Sequence, residues 1–327
     1  MKAIIFTEYG SPEVLTLAQV DQPIPNKNEV LIKVHATTAT SAESMMRRGD
    51  SFMTRLILGI RKPKKKYQIL GLELSGTVVG MGSKVNKFQI GDEVFGFTGF
   101  TPGAYGEYIC LDQEASIINK PAELNHKEAA TIVDGSTTAY HFLHSTAHIQ
   151  PQQKVLIIGA SGSVGSGAVQ IAKYFKAQVT GLCSGRNAEL VLNLGADKVI
   201  DYTKDNYNDY DEKYDIIFDT VGKSSYKDAT QSLKENGIYM VTTGELIKLY
   251  LRTFISNLKY KFFGGKRFIY TMSVEKMEAL GFICQLIKDN DIRPVIEKSY
   301  KMEEIVEAVY HVDSGHKVGN IAVELSN

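Results

Sequence analysis

Residues 154–165 read Lys154-Val-Leu-Ile-Ile-Gly159-Ala-Ser-Gly162-Ser-Val-Gly165 and lead into a helical stretch over 166–176. A buried strand, a glycine-rich turn and a helix opening at that turn make an anion site. The first N–H groups of the helix have no intrahelical partner, and the helix dipole adds partial positive charge there. Glycines let a pyrophosphate approach the backbone. The spacing is G-x-x-G-x-x-G rather than G-x-G-x-x-G, so the argument rests on context: a second apolar run, 178–183, closes a βαβ unit. A glycine turn serving only tight strand–helix packing is the alternative. The context favours a dinucleotide, with Ser161, Gly162, Ser163, Val164 and Gly165 around its pyrophosphate.

The end of the second strand selects the dinucleotide. Folds that take NAD place Asp or Glu there to accept from the ribose 2′-OH. Here the residues are Cys183-Ser184-Gly185-Arg186-Asn187, and no carboxylate intervenes between the glycine turn and Glu189. Ser184 can donate to a 2′-phosphate, Arg186 can clamp it, and Tyr202, after the next strand, can contact the phosphate or the adenine. Arg186 as a solvated surface charge is the plainer alternative. The expected cofactor is NADP(H).

The elements that would position these residues follow from the patterning. Six candidate strands (154–159, 178–183, 198–202, 214–220, 237–243 and 266–271) mostly alternate with helical runs, which predicts a doubly wound parallel sheet. Ligands of such sheets sit beyond the carboxyl ends of the strands, so Val221, Gly222, Thr243 and Gly244 join the candidate cofactor residues. The first third differs: short β segments (3–6, 29–36, 72–80, 92–96, 104–110) between turn clusters predict a small antiparallel sheet or barrel. The basic run 61–66 reads as an exposed loop. The tail gives a helix (274–288), a strand (295–300), a helix (302–312) and a strand (320–324), and these are expected to complete the first β domain.

With 327 residues the chain suggests two domains. Lys plus Arg (37) equals Asp plus Glu (37), which gives no reason to expect nucleic acid or a membrane globally. The start of the chain reads as a strand rather than a targeting segment, and no apolar run approaches a membrane span. Cys110, Cys183 and Cys284 are far apart and odd in number, so a disulfide framework is not expected and a reducing cytoplasm is.

The run Leu70-Gly71-Leu72-Glu73-Leu-Ser-Gly76-Thr-Val-Val-Gly80, with Gly91-Asp92-Glu-Val-Phe95, Gly106-Glu107-Tyr108, Thr138-Ala139-Tyr140 and Leu194-Gly195-Ala196-Asp197, resembles the medium-chain dehydrogenase/reductase superfamily. The motifs occur in order over essentially the whole chain and are most similar to the zinc-free quinone oxidoreductase and enone reductase branch. The resemblance implies an α/β protein: a GroES-like, mostly antiparallel β catalytic domain (1–122, completed by 272–327) and a Rossmann NADP(H)-binding domain (123–271). It also places Thr40 and Thr138 near the nicotinamide.

Zinc is not expected. Relatives that use it carry Cys in the segment matching Thr40-Ser41-Ala42-Glu43 and His where this chain has Leu72. His141, His144 and His148 share a helical spacing that could be a ligand face but reads better as a polar face. Without a Lewis acid, alcohol oxidation is hard and reduction of an electrophilic acceptor is easier. The expected activity is hydride transfer from NADPH to a quinone or an α,β-unsaturated carbonyl. Rival readings are a zinc-independent aldehyde or ketone reductase and a non-enzymatic NADPH-binding sensor. The proton donor is open; Tyr67 and Tyr105 are candidates from loops that the resemblance puts beside the cleft, each with the alternative of a packed tyrosine.

Segment 246–274 contains no Asp or Glu, while Lys248, Arg252, Lys259, Lys261, Lys266 and Arg267 interleave with apolar residues. A basic amphipathic helix of this kind could lie on an anionic membrane, but a Rossmann-side or cleft-lining helix that attracts NADPH is the favoured reading. The strand at 266–271 would be a bare sheet edge, predicting a homodimer that continues the sheet.

Overall fold

The computed structural model describes residues 1–99, 101–273 and 276–325. In chain order the first elements are strands β1 (Lys2–Ile5), β2 (Thr16–Gln19) and β3 (Glu29–Ala39), then helices α1 (Ser41–Arg48) and α2 (Phe52–Leu58). Strands β4 (Glu73–Met81), β5 (Glu93–Phe97), β6 (Tyr108–Asp112) and β7 (Ile117–Asn119) precede helices α3 (His126–Thr131) and α4 (Val133–Tyr140). There follow β8 (Lys154–Ile158), α5 (Ser163–Tyr174), β9 (Gln178–Cys183), α6 (Ala188–Asn193), β10 (Lys198–Asp201) and β11 (Tyr214–Asp219). The chain continues through α7 (Tyr226–Ser232), β12 (Leu233–Val241), α8 (Leu246–Phe263), β13 (Arg267–Ile269), α9 (Met277–Lys288), β14 (Ile296–Lys301), α10 (Ile305–Asp313) and β15 (Asn320–Glu324).

These elements form two compact units. Among the described residues, one comprises 1–134, 276–289 and 293–325, the other 135–273 and 290–292. The junction lies after 134 rather than 122 because α3 packs on β3, β4 and β15 of the first unit.

In the first unit the sheet order is β14-β15-β3-β4-β5-β7, with β6 also on β3 and β1-β2 as a separate antiparallel pair. The last strand returns to the first sheet, pairing antiparallel with β3 (Ile321 opposite Ala39). Along β3 and β4, Val30, Ile32, Val34, Leu74 and Val78 are buried and meet Ile321 and Val323 in one core. Each such side chain contributes about 1.5–3 kcal/mol by leaving water.

Helices α1 and α2, and the boundary of β6, were not read from the sequence. Helix α1 begins with a capping box, Thr40 at the N-cap and Glu43 three residues on. Its other end is anchored by the buried Arg47 guanidinium, which donates to Asp313 (2.5 Å) and to the Gly10 carbonyl. The basic run at 61–66 is exposed apart from Pro63, and a single helical turn (Lys65–Tyr67) follows from within it.

The second unit holds a parallel sheet in the order β10-β9-β8-β11-β12-β13, the doubly wound arrangement expected. Val155, Leu156 and Ile157 of β8 are fully buried at its centre. One expectation fails at the edge. Strand β13 is short and not bare, since Ser256 and Thr253 of α8 accept from Phe268 N–H (2.7 Å) and Tyr270 N–H (2.8 Å). Those two donors are already satisfied within the chain and do not themselves call for a second copy.

Candidate functional site

The glycine turn joins β8 to α5 as the sequence predicts. Gly159 adopts φ +80°, and a Cβ there would fall 2.3 Å from Val221 Cγ2 and 2.7 Å from Thr220 Oγ1. A Cβ on Gly165 would fall 2.0 Å from the Gly159 carbonyl oxygen. These two glycines are therefore needed by the turn itself. Gly162 is different: its Cβ would meet only the Gly159 oxygen, at 3.4 Å. It is the N-cap of α5, and no side chain caps it. The α5 N-terminus thus presents backbone donors of Ser163, Val164 and Gly165 beside space that a larger residue at 162 would fill, the cradle a pyrophosphate requires. Ser161 is tied to the neighbouring loop, its Oγ accepting from Asn187 Nδ2 at 3.0 Å. Nothing in the sequence pattern marked Asn187.

Ser184 and Arg186 follow β9 and Tyr202 follows β10; the two strands are parallel neighbours, with Asp201 opposite Cys183. Three of the residues chosen for a 2′-phosphate are therefore brought to one edge of the sheet. Arg186 and Tyr202 are exposed and Ser184 is half-buried. The register also brings a carboxylate that the linear reading missed. Asp201 reaches under Gly185, where a Cβ would fall 2.3 Å from Asp201 Oδ2. Its Oδ1 accepts from Thr203 N–H (3.0 Å) and Thr203 Oγ1 (2.8 Å), and those bonds hold its pKa below the usual carboxylate value. The signal was two-dimensional: strand register, rather than distance along the chain, places it.

Val221 and Gly222 are held by Asp219, the buried last residue of β11. Its carboxylate accepts from Val221 N–H (3.0 Å), Gly222 N–H (2.7 Å), Ser224 N–H (2.9 Å) and Tyr239 OH (2.9 Å). Thr243 and Gly244 are exposed after β12. They line, with Gly222, Lys248 and Arg252, a cavity of about 250 Å³ floored by Tyr226, Tyr239 and Phe268. Thr138 lies half-buried in α4. The histidines near it are engaged in stacking and hydrogen bonding: His144 stacks on Tyr140 and Phe175, with centroids 4.7 and 5.3 Å away, and His141 meets Thr271 at 3.3 Å.

The first unit holds a second constellation, built from two buried glutamates. Glu43 Oε2 accepts from Thr40 N–H (2.8 Å) and Tyr105 OH (3.0 Å), and its Oε1 accepts from Leu72 N–H (2.7 Å). Glu73 accepts from Asp134 N–H (2.5 Å) and from the Thr38 hydroxyl. Asp134 in turn takes a bond from Lys276 Nζ (2.6 Å), a buried lysine poised over Phe97. Burial pushes the Glu43 carboxyl up to about 7 against the pull of its donors. Burial and the Asp134 charge raise Glu73 as well. The Thr40-x-x-Glu43 spacing of a capping box is the signal that could have marked Glu43; its bond to Tyr105 required the fold.

Tyr105 is buried, and its hydroxyl pKa lies well above 10, from desolvation and from the Glu43 charge. That hydroxyl donates to Glu43 Oε2 at 3.0 Å. Tyr67 is half-buried under Lys66 Nζ, 4.6 Å from the ring centroid.

The donor set here does not fit a zinc ion. Both glutamates are engaged by protein donors, Thr40 and Leu72 stand where sulfur and imidazole would be needed, and among the described residues no three His, Cys, Asp or Glu side chains converge as ligands.

Comparison with known proteins covers most of the chain. Residues 26–122 match the alcohol dehydrogenase GroES-like domain and residues 194–323 the zinc-binding dehydrogenase family. The chain is 31% identical to the mitochondrial NAD(P)H oxidoreductase RTN4IP1 of Bos taurus, over 99% of this chain and 89% of that protein. It is 29% identical to 2-methylene-furan-3-one reductase of Solanum lycopersicum, over 99% of this chain and 79% of that one. Among solved structures, the quinone oxidoreductase of Coxiella burnetii superposes with a TM-score of 0.89 at 29% identity, over 100% of this chain and 99% of that one.

Proposed function

The chain belongs to the medium-chain dehydrogenase/reductase superfamily, in its quinone oxidoreductase and enone reductase branch, and we propose that it is an NADPH-dependent reductase of quinones or α,β-unsaturated carbonyls that works without a metal ion. The observation that carries this reading is the meeting, along one sheet edge, of the uncapped α5 N-terminus with Ser184, Arg186 and Tyr202. NADPH, when bound, supplies the reducing equivalents as hydride, and the acceptor takes up a proton as well.

The roles of the chain's own residues follow from their placement. Backbone donors from Ser163 to Gly165 would hold the pyrophosphate, with Gly162 leaving room and Ser161 lending its hydroxyl. Ser184 and Arg186 would take the 2′-phosphate through charge-assisted bonds, with Tyr202 beside the phosphate or the adenine. Val221, Gly222, Thr243 and Gly244 follow strands at the carboxyl edge where such sheets receive ligands, and Thr40 and Thr138 complete the set. Asp219 fixes the loop that carries the first pair.

The donor set of the first unit supports metal-free chemistry, because neither glutamate has a sulfur or imidazole companion. With Tyr105 hydrogen-bonded to Glu43, the proton is assigned to solvent. The three unpaired cysteines fit a reducing compartment such as the cytoplasm.

An acceptor screen tests the reading. Purified protein should consume NADPH with quinones or enones and, far more slowly, with simple aldehydes and ketones. Fast turnover of simple aldehydes would overturn the acceptor assignment; NADPH binding without turnover on any acceptor would overturn the enzymatic one.

A further inference from the structure

Helix α8 carries its apolar face on the outside. At 100° per residue, Leu249 and Ser256 fall on the side turned to the sheet, and both are buried. On the opposite side Ile247, Leu251, Phe254, Ile255, Leu258 and Phe262 form one stripe along the whole helix. All six are exposed, Ile247 by 76%, Phe254 by 66% and Phe262 by 68%. Phe263, at the helix end, is 87% exposed. An apolar stripe of this length in open solvent marks an interaction surface. Its borders are cationic, with Lys248 and Lys259 along one side and Lys261 along the other, and residues 246–273 include no acid.

The helix packs on β13 of the parallel sheet and brings Lys248 and Arg252 to the cavity lined by Gly222, Thr243 and Gly244, and the outward apolar stripe is left without a role in either. We propose that α8 also docks lengthwise on an anionic lipid bilayer, with its stripe among the upper acyl chains and its bordering lysines at the headgroups. The charge decides the occupant. A second copy meeting this face across a two-fold axis would set Lys259 and Lys261 against the same cationic borders, and the nearest acid along the helix, Glu245 at the N-cap, is already paired with Lys248 at 2.7 Å. An anionic membrane supplies the missing counter-charge. The helix lies on the bilayer and does not cross it: it is about 27 Å long and cationic along its length, and among the described residues no helix is long and apolar enough to span. The six stripe residues lie outside the cavity beside Thr243 and Gly244, and of the bordering cations Lys248 alone also lines it.

Co-sedimentation with vesicles tests the proposal. The full chain should pellet with vesicles of phosphatidylcholine mixed with phosphatidylglycerol, at least tenfold more weakly with phosphatidylcholine alone, and less well as salt is raised. Ile247→Ser combined with Phe254→Asp should abolish pelleting. Lys248→Gln, Lys259→Gln and Lys261→Gln together should weaken it about a hundredfold. Both variants change only exposed side chains and should keep the wild-type unfolding midpoint, which separates lost docking from lost fold. The proposal is overturned if the wild type stays in the supernatant with every vesicle, or if the variants pellet as the wild type does. It is equally overturned if light scattering shows a wild-type dimer that the Ile247/Phe254 variant dissolves, since the stripe would then be covered by a second copy.

Discussion

Replacing Glu43 by glutamine should change how stability depends on pH, in a direction opposite to that of a salt-bridged carboxylate. Glu43 is raised from 4.5 to about 7, because burial outweighs the donors from Thr40, Leu72 and Tyr105. A folded-state value above the unfolded one means the native protein holds this proton where the unfolded chain has released it. The stabilisation is therefore complete below about pH 4.5 and lost as pH rises through about 7. A rise of about 2.5 pH units at about 1.36 kcal/mol each amounts to about 3 kcal/mol. Glutamine cannot ionise, so the stability of the wild type minus that of the variant should fall by about 3 kcal/mol between about pH 4.5 and pH 8. Urea unfolding followed by far-UV circular dichroism at a series of pH values measures the difference directly. A difference that stays constant, or rises with pH, would refute the reasoning, since the folded chain would then hold this proton no more tightly than the unfolded one.

The cofactor end yields further expectations. Arg186→Ala should weaken NADPH binding by about 1.5–3 kcal/mol, roughly 10- to 150-fold, and leave NADH nearly unchanged by isothermal titration; equal losses for both cofactors would remove the 2′-phosphate assignment. Asp201→Asn, which deletes a negative charge beside Gly185, should widen the preference for NADPH over NADH in the same titration, and a narrowed preference would count against its placement. Gly162→Ala should fold, because its Cβ meets nothing closer than 3.4 Å, yet weaken NADPH binding by filling space at the α5 N-terminus, and Gly162→Val should weaken it further. Gly165→Ala should melt early, its Cβ lying 2.0 Å from a backbone oxygen. Chelators, and replacement of all three cysteines by serine or alanine, should leave turnover with a quinone in place; elemental analysis finding about one zinc per chain, or a folded cysteine-free chain without turnover, would refute the metal-free, non-covalent mechanism.

The sheet of the second unit was legible because its strands are continuous apolar runs between glycine turns, as at 154–159 and 178–183, and parallel pairing buries both faces of each strand. The glycine turn after β8 was legible for the same reason. Asp201 was not, because it reaches Gly185 across strand register rather than along the chain. The buried glutamates were half visible: Thr40 and Glu43 spell a capping box, but Tyr105 and Leu72 join them only once β3, β4 and their loops are folded together. Helix α8 was legible as an amphipathic basic helix beside the parallel sheet, but periodicity alone cannot say which face the protein buries, and here Ser256 and Thr253 turn inward to serve β13 while Phe254 and Phe262 turn out.

The central claim is hydride delivery to an electrophilic acceptor, and isotope placement tests it most directly. NADPH carrying deuterium at the transferable C4 position of its nicotinamide would be turned over with an α,β-unsaturated ketone, and the product examined by mass spectrometry and NMR. Direct hydride transfer predicts one deuterium, on the β-carbon of a saturated ketone. Deuterium on the carbonyl carbon of an allylic alcohol would make the protein a carbonyl reductase, and a product free of deuterium would contradict direct transfer altogether.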